Sequence, residues 1–343
     1  MAKRPSQRRL FRELAAKFGL EVANAYLAAI RDITSQVEVQ KLILAIERRD
    51  LQAALDALHL NRAAFQPVEA KIAEAFVAGG QGAVSSMPTA VSIGFRFDPG
   101  NQRAAAILRE TAATLITRLT DNEIEQARAF LAEGMATGRG PRSVALDLVG
   151  RISRATGQRE GGLIGLSAPQ RAAVEAARAE LASSDPAVLR NFLTRKRRVK
   201  YPYDRAINRA LREGRRLDRD TAAAALRGYT NSLLKRRGEV IARTEGLPAI
   251  RAAKHEAYQQ LVDDGRVEAM DIVRGWSTNQ DGRQRDTHEA MNGQEVRGLD
   301  APFTSPSGAQ FMYPGDTSRG APASEVIACR CDEFIAIRRR WPL

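Results

Sequence analysis

The chain has 343 residues, a formal net charge of +13, and 44% hydrophobic but only 6% aromatic residues. This length allows two or three domains, and the apolar content excludes wholesale disorder. Two cysteines argue against a disulfide-built secreted fold. The N-terminus lacks the pattern of a secretory signal, and no stretch approaches the roughly 20 apolar residues of a membrane span, so we expect synthesis in a cytoplasm. The charge favours a polyanionic partner, such as nucleic acid or an acidic protein surface, over a merely solvated basic surface.

Apolar residues recur every three to four positions in the first part of the chain, which predicts amphipathic helices. Leu10, Leu14 and Phe18 begin the first apolar stripe. Asn61 is a predicted cap for a helix that runs through Phe76. The glycines of residues 79–82 are expected to break this helix.

Residues 84–100 show a different pattern. Val91, Ile93, Phe95 and Phe97 alternate with polar residues or glycine, and this period of two predicts a short strand or an extended arm. Because an isolated strand leaves its edges unpaired, a strand here would need a partner in this chain or in another subunit.

Helices are predicted again from about residue 101. Thr120-Asp-Asn-Glu123 has the pattern of a capping box and predicts a helix that opens there and continues through Met135. Pro141, Ser167 and Asp185-Pro186 mark further helix starts.

The C-terminal residues predict a small module of helix and strand. Asp264-Gly265 predicts a turn, Val267 to Trp276 a pair of strands, and Phe334 to Ile337 a final strand. The predicted fold is thus a mainly α N-terminal region with a small α+β C-terminal module. The predicted divisions are a helical N-terminal region (1–83), an extended arm or short strands (84–100), a helical domain (101–265) and the module (266–343).

Residue types that bind metals collect in this module. Cys329 and Cys331 form a Cys-x-Cys pair, His288 lies upstream, and Asp281 or Asp286 could supply a fourth ligand. A zinc ion would stabilise a module too small to fold on its own core. Alternatively, the thiols are small core groups and the other side chains hold loops by hydrogen bonds. The expected cofactor is therefore zinc or none.

The same stretch allows two catalytic interpretations. Asp281, His288 and Asn292 could form the metal-bound general base of a nuclease, although such short strings are common by chance. Cys329 with His288 could act as nucleophile and base, but nothing in the sequence indicates an oxyanion hole. We therefore assign no catalytic residue from the sequence.

Four segments are strongly basic: Lys3 to Arg12, Arg195 to Lys200, Lys235 to Arg237, and Arg338 to Arg340. The second is the best candidate for binding nucleic acid, because lysine and arginine neutralise phosphates and a tyrosine can stack on a base. The alternative is a solvated helix end, where cations also favour the helix dipole. The candidate residues are Arg195, Lys196, Arg197, Arg198, Lys200, Tyr201 and Tyr203.

A charged pair, Arg243 and Glu245, lies among apolar residues in Ile241-Ala-Arg-Thr-Glu245. We expect a buried or half-buried ion pair that docks a helix onto the module, with a catalytic pair as the alternative. In chain order this segment is followed by Trp276, Asp281-x-Arg283 with His288, Asn292-Gly293, Pro314-Gly-Asp316 and Cys329-Arg-Cys331.

This series of motifs, over roughly residues 205–335, resembles the phage head morphogenesis family, the Mu F-like minor head proteins. Many family members have Cys-x-x-Cys where this chain has Arg283 to Asp286. Many also have a histidine shortly before the final Cys-Arg-Cys, where this chain has Glu325-Val-Ile-Ala. Two soft zinc ligands of those members are therefore absent here.

The resemblance implies a low-copy virion protein made in an infected bacterium. Such a protein would associate with the portal protein or major capsid protein at the procapsid interior, contact packaged DNA nonspecifically, and act in head assembly and DNA delivery. No membrane partner is implied at the assembly stage. The alternative function is a metal-dependent nuclease or a toxin-like transferase that uses the C-terminal module.

Overall fold

The computed structural model describes residues 6–201 and 203–338. The chain is mainly helical, with small antiparallel sheets in its C-terminal part, which confirms the predicted fold class. The helices are α1 (Gln7–Gln36), α2 (Val39–Glu47), α3 (Leu51–Asp56), α4 (Gln66–Ser86), α5 (Thr89–Ser92), α6 (Gln102–Ala136), α7 (Pro141–Val149), α8 (Ala168–Ala182), α9 (Pro186–Thr194), α10 (Tyr203–Glu213), α11 (Arg219–Ile241), α12 (Leu247–Asp263), α13 (Asp286–Ala290) and α14 (Ala323–Val326). The strands are β1 (Arg151–Ile152), β2 (Arg159–Glu160), β3 (Ile272–Ser277), β4 (Glu295–Arg297), β5 (Phe303–Thr304), β6 (Gln310–Phe311) and β7 (Asp332–Ile337).

Residues of the chain form two compact units. The first comprises Met1–Ala25, Pro67–Leu115 and Glu239–Leu343, and the second comprises Tyr26–Gln66 and Ile116–Gly238. The domain boundaries expected from the sequence stay predictions. Of the helices that the structure describes, none has the length and hydropathy needed to cross a membrane.

The first unit is built around α12 and a three-stranded sheet. The strand order is β4-β3-β7, and both pairings are antiparallel. The α12 helix packs on β7, where Lys254 Nζ donates to the Glu333 carbonyl and the Tyr258 hydroxyl donates to the Ile335 carbonyl at 3.3 Å. Because β3 lies between two strands under this helix, its residues are buried from Ile272 through Trp276.

The predicted break at residues 79–82 is wrong, because α4 continues through these glycines to Ser86. The glycines permit close packing. A Cβ on Gly79 would lie 2.5 Å from the Ile250 carbonyl oxygen, and a Cβ on Gly80 would lie 2.2 Å from the Phe97 ring. Contacts with α12 and Phe97 therefore outweigh the weak helix propensity of glycine.

The strand or extended arm predicted at residues 84–100 is also not formed. All of these residues are described, and they contain the end of α4, the short α5 and then turns, with no strand. Phe97 is buried against Phe76 instead, and the Asp98 amide donates to Gln260 Oε1 at 2.9 Å. Val91 and Phe97 thus anchor this connecting segment on the core, whereas Ile93 of the same alternation is exposed.

The capping box predicted at Thr120–Glu123 is wrong, because α6 runs unbroken from Gln102 to Ala136. Glu123 instead accepts a tertiary hydrogen bond within the second unit. Its Oε2 accepts from the Gly165 amide at 2.8 Å, while the Tyr26 hydroxyl donates to the Gly165 carbonyl at 2.7 Å. Burial raises the pKa of Glu123 to about 7, because the charged form loses its hydration.

Other local predictions are confirmed. The side chains of Asn61 and Asp185 accept from helical amides, Pro141 opens α7, and Ser167 forms a capping box with Gln170. Asp264-Gly265 is a turn and residues 332–337 form the final strand. The strand pair predicted from Val267 to Trp276 is instead a 3-10 turn at residues 269–271 followed by the single strand β3.

Candidate metal centre

Both cysteines lie in the small hydrophobic core of the C-terminal module. Cys329 and Cys331 are buried together with Trp276, Phe303 and Phe311 in one cluster. The β3 strand supplies Trp276, and the hairpin of β5 and β6 supplies the phenylalanines, which face each other in register. Two thiols in an apolar cluster are either inert core groups or ligands shielded from solvent.

His288 on α13 brings an imidazole into the same cluster. Its ring makes edge contacts with Trp276 and Phe311, at centroid distances of 5.3 and 5.9 Å. Its Nδ1 lies 3.6 Å from Cys329 Sγ and 3.4 Å from Cys331 Sγ. The relative exposures of His288, Cys329 and Cys331 are only 1%, 2% and 3%.

This geometry fits a tetrahedral metal ion. Zinc–sulfur bonds of about 2.3 Å and zinc–nitrogen bonds of about 2.0–2.1 Å at a tetrahedral angle place nitrogen and sulfur about 3.6 Å apart. The observed separations of 3.6 and 3.4 Å agree with that value. The three ligand atoms all lie within 4.8 Å of one another. The residues therefore form a His/Cys/Cys group with the spacing of metal ligands.

The carboxylate of Glu325 lies on the other side of the imidazole. His288 Nε2 lies 3.0 Å from Glu325 Oε2, although the two atoms are not aligned as a hydrogen bond. Thr287 and Ser307 donate hydroxyl hydrogen bonds to the Glu325 carboxylate at 2.9 and 2.8 Å. Metal-binding histidines commonly have a carboxylate at the ring nitrogen opposite the metal. The sequence indicated Glu325 only as the place of a missing family histidine, and its position beside the imidazole was not predicted.

The two thiols shift each other's pKa in opposite directions. Interaction with Cys331 lowers the pKa of Cys329 well below its ordinary value, and His288 and the positive charge of Arg251 act in the same direction. The hydrogen bond with Cys329 raises the pKa of Cys331, and burial adds to that rise. Cys329 therefore gives up its proton more readily than Cys331, and a metal bound by both sulfurs would displace the protons of both.

The two aspartates predicted as fourth ligands lie outside this group. Asp281 is exposed and forms a bidentate ion pair with Arg330, at 2.6 and 2.8 Å. Asp286 is exposed in the first turn of α13. Among the residues that the structure describes, only His288, Cys329 and Cys331 form the metal-ligand group. The group is therefore one ligand short of a closed structural zinc site.

The nuclease constellation expected from the sequence is not assembled. Asp281 pairs with Arg330, His288 is buried against the sulfurs, and Asn292 Oδ1 accepts from the amide and hydroxyl of Thr278 at 2.9 and 3.1 Å. These three side chains have separate partners and do not converge on one position.

The remaining motif residues shape the loops around the cluster. Gly293 has a positive φ of 85° and its amide donates to the Trp276 carbonyl at 2.9 Å. Asp316 accepts from the Met312 amide at 2.8 Å and from the Ser318 amide at 2.9 Å. Only a residue tolerant of the left-handed region fits at position 293 without strain.

Arg243 and Glu245 lie in a π-helical turn, Ala242–Gly246, between α11 and α12, and both are half-buried. The sequence did not indicate the role of Thr244 between them. Its hydroxyl accepts from the Ala328 amide at 3.1 Å, directly before the first cysteine. The π-helical turn is thus connected to the cysteine segment by a neutral hydrogen bond.

In the basic segment at residues 195–203, some side chains are held in ion pairs and others are exposed to solvent. Arg195 forms two hydrogen bonds to the Glu180 carboxylate, and Arg198, with a side-chain exposure of only 9%, pairs with Asp204. Tyr203 is half-buried at the start of α10. Four of the candidate residues are exposed: Lys196, Arg197, Lys200 and Tyr201. The basic runs at the two chain ends lie partly outside the described residues.

One comparison with known proteins identifies the region that contains this centre. Residues 204–333 match a family model described as Phage Mu protein F like protein, over 130 of the 343 residues. No curated protein and no solved structure matches the chain. The matched region includes His288, Cys329 and Cys331. It also includes all of β3 and β4 and the first two residues of β7.

Proposed function

We propose, on the premise that residues 204–333 belong to the phage Mu protein F like family, that the chain is a minor head protein present in few copies per virion. The family indicates a phage head morphogenesis protein. The proposed place of action is the inside of the head near the portal, where the protein takes part in head assembly and DNA delivery. The family match carries this proposal, and the net charge of +13 supports a role beside packaged DNA.

The proposed protein partners are the portal protein, the major capsid protein, or both. The test is cosedimentation of the purified full chain with purified portal rings and, separately, with empty procapsids of the same phage. We expect the chain to sediment with at least one of these assemblies at physiological salt. Absence of cosedimentation with both would contradict the assignment of head partners.

We further propose that the His/Cys/Cys group binds zinc. The donor set supports this choice, because thiolate and imidazole ligands in a tetrahedral arrangement favour zinc over calcium or magnesium. Zinc would cross-link α13 to the cysteine segment and thereby stabilise the module. The two cysteines would both bind as thiolates, and Glu325 would keep the His288 ring oriented.

The test is metal analysis of the full chain purified without chelators. We expect about one zinc per chain and a lower melting temperature after treatment with a chelator, because binding to the folded state alone stabilises that state. A metal-free chain whose melting temperature does not change when zinc is added would contradict the zinc proposal.

The enzymatic alternative requires a substrate to reach His288. Its 1% exposure and its position among aromatic side chains do not favour this. Nicking of plasmid DNA in the presence of Mg²⁺, Mn²⁺ or Zn²⁺, and its loss in His288→Ala, would support a nuclease. The same assay without nicking under all three ions would count against it.

A further inference from the structure

The charge of the protein is concentrated in one short stretch. Residues 190–216 contain eleven lysines and arginines but only two acidic residues, and they account for +9 of the net +13. This stretch comprises the end of α9, the following loop, α10 and the residues after it. All of it belongs to the second compact unit.

The helices α9 and α10 border an arginine-lined cleft of about 680 Å³. Arg205, Arg209 and Arg212 lie on one face of α10, at positions i, i+4 and i+7, while Ile207 and Ala210 on another face are buried. Arg190 of α9 also lines the cleft. The amphipathic pattern of α10 therefore directs three arginines to the same opening.

The cleft has almost no compensating negative charge. Its one acidic lining residue, Asp204, is already paired with Arg198. Within residues 6–201 and 203–338, Arg190, Arg209 and Arg212 form no ion pair, and all three are exposed. Arg205 lies over the ring of Tyr201, with its guanidinium carbon 5.5 Å from the ring centre. The carboxylate of Glu213 lies near Arg209 and Arg212, but its ion pair is with Arg215. Among the described residues, the four guanidinium groups thus share an opening and form no ion pair of their own.

We propose that this cleft, defined by Arg190, Arg205, Arg209 and Arg212, binds the phosphate backbone of nucleic acid. This inference deepens the proposed function, because it places the DNA contact on α9 and α10. The cleft binds phosphates by charge, since arginine forks match phosphate oxygens. Lys196, Arg197 and Lys200 are exposed on the loop that follows α9. Arg195 and Arg198 instead hold that loop through Glu180 and Asp204.

Tyr201 favours nucleic acid over an acidic peptide as the occupant. It is 71% exposed and lies beside Arg205, on the loop that connects the two helices. An exposed aromatic ring next to phosphate-binding cations provides a stacking surface for a base. An acidic peptide would use the charges but would gain little from this ring.

The test uses the full chain and a matched pair of triple variants. The cleft variant is Arg205→Gln/Arg209→Gln/Arg212→Gln, and the control variant is Arg48→Gln/Arg62→Gln/Arg154→Gln. The control arginines are exposed in the same unit, so both variants lose three charges. Thermal melting verifies that each variant is folded. Binding to a labelled 30-base-pair duplex and to a 30-nucleotide single strand is measured by fluorescence anisotropy at several NaCl concentrations.

We expect the cleft variant to bind the duplex at least about tenfold more weakly than the control variant at low salt. Each lost phosphate contact lowers the slope of log affinity against log salt by about 0.9, so three lost contacts lower it by up to about 2.7. Tyr201→Ala should weaken binding of the single strand more than binding of the duplex.

Equal losses in the two triple variants would overturn the cleft site while leaving nonspecific DNA binding intact. Polyglutamate that competes as well as DNA at equal charge would also overturn it, in favour of an acidic protein partner. A wild-type chain that binds neither DNA at low salt would instead contradict the DNA contact in the proposed function itself, along with the cleft.

Discussion

At the scale of single residues, the ligand group and the aspartates near it have different roles. His288, Cys329 and Cys331 face one another in the core, whereas Asp281 pairs with Arg330 at the surface. Cys329→Ser should therefore abolish zinc binding and lower the melting temperature, because it removes a buried ligand. The measurement is zinc content per chain together with thermal melting.

Asp281→Asn is the matched control for that substitution. It removes a charge from the same loop region but leaves the three ligand atoms in place. We expect zinc content to remain unchanged and the melting temperature to change little, because an exposed ion pair contributes little to stability. Loss of zinc in Asp281→Asn would contradict the three-residue group and favour the ligand set expected from the sequence.

Glu333 should make the stability of the module depend on pH. Its side chain is fully buried, neither carboxylate oxygen has a hydrogen-bond partner in the described part of the chain, and the Arg274 guanidinium lies 3.8 Å away. Burial raises the pKa of Glu333 to about 7, against the opposing charges of Arg274 and Lys254. Arg274 is itself held by the carbonyls of Gly298, Ala301 and Met312.

The pKa of Glu333 is higher in the folded chain than in the unfolded chain. Its protonation therefore contributes fully to the free energy of unfolding below about pH 4.5, and this contribution is lost as the pH rises through about 7. Glu333→Gln should remove this dependence. Relative to wild type, the free energy of unfolding of the variant should rise by about 2–3 kcal/mol between pH 5 and pH 8. Denaturant titrations at four pH values measure this difference. A difference that is constant with pH would show that Glu333 does not titrate in this range.

The sequence predicted the site incompletely for a physical reason. Cysteine and histidine are chemically distinctive, so His288, Cys329 and Cys331 could be selected by residue type. Which carboxylate approaches the imidazole depends on the path of the loops, and Glu325 lies 37 positions after His288 in the chain. Asp281, only seven positions before His288, has the right chemistry but turns to Arg330.

At the scale of whole elements, α4 depends on its glycines for packing against α12. Gly79→Ala would place a methyl group 2.5 Å from the Ile250 carbonyl oxygen, a backbone atom that cannot rotate away. We expect destabilisation by about 1–3 kcal/mol or more, despite the better helix propensity of alanine. Equilibrium unfolding in urea measures the change.

Gly19→Ala in α1 provides the opposite case. Nothing lies within 4 Å of a Cβ at that position, so only helix propensity changes and the variant should gain up to about 1 kcal/mol. Equal effects of the two substitutions would contradict close packing at Gly79.

The elements that could be predicted from the sequence are those determined by local interactions. Helix starts at Asn61, Pro141, Ser167 and Asp185 were correct because capping is a local interaction. The helix break predicted at residues 79–82 and the helix start predicted at residues 120–123 were wrong, because Gly79 and Glu123 make distant contacts with Ile250 and Gly165. The strand predicted from the alternation at residues 91–97 is not formed, because a strand needs hydrogen-bonded neighbouring strands and a local pattern cannot supply them.

At the scale of the whole molecule, the concentrated positive charge predicts the character of DNA binding. Contacts through the phosphate backbone should give affinities that fall steeply with salt and differ by less than about threefold between duplexes of unrelated sequence. Competition between unlabelled duplexes of equal length measures the preference. Strong selection of one sequence would require contacts with base edges and would contradict binding by charge alone.

The central claim, that this chain is a minor component of the phage head, is tested most directly by quantitative mass spectrometry of purified, DNA-filled particles and of procapsids. We predict a few copies per particle, far fewer than the copies of the major capsid protein. Presence in procapsids but not in filled particles would mean an assembly factor that leaves during maturation, and would contradict the virion role. Absence from both would contradict the head-protein assignment as a whole.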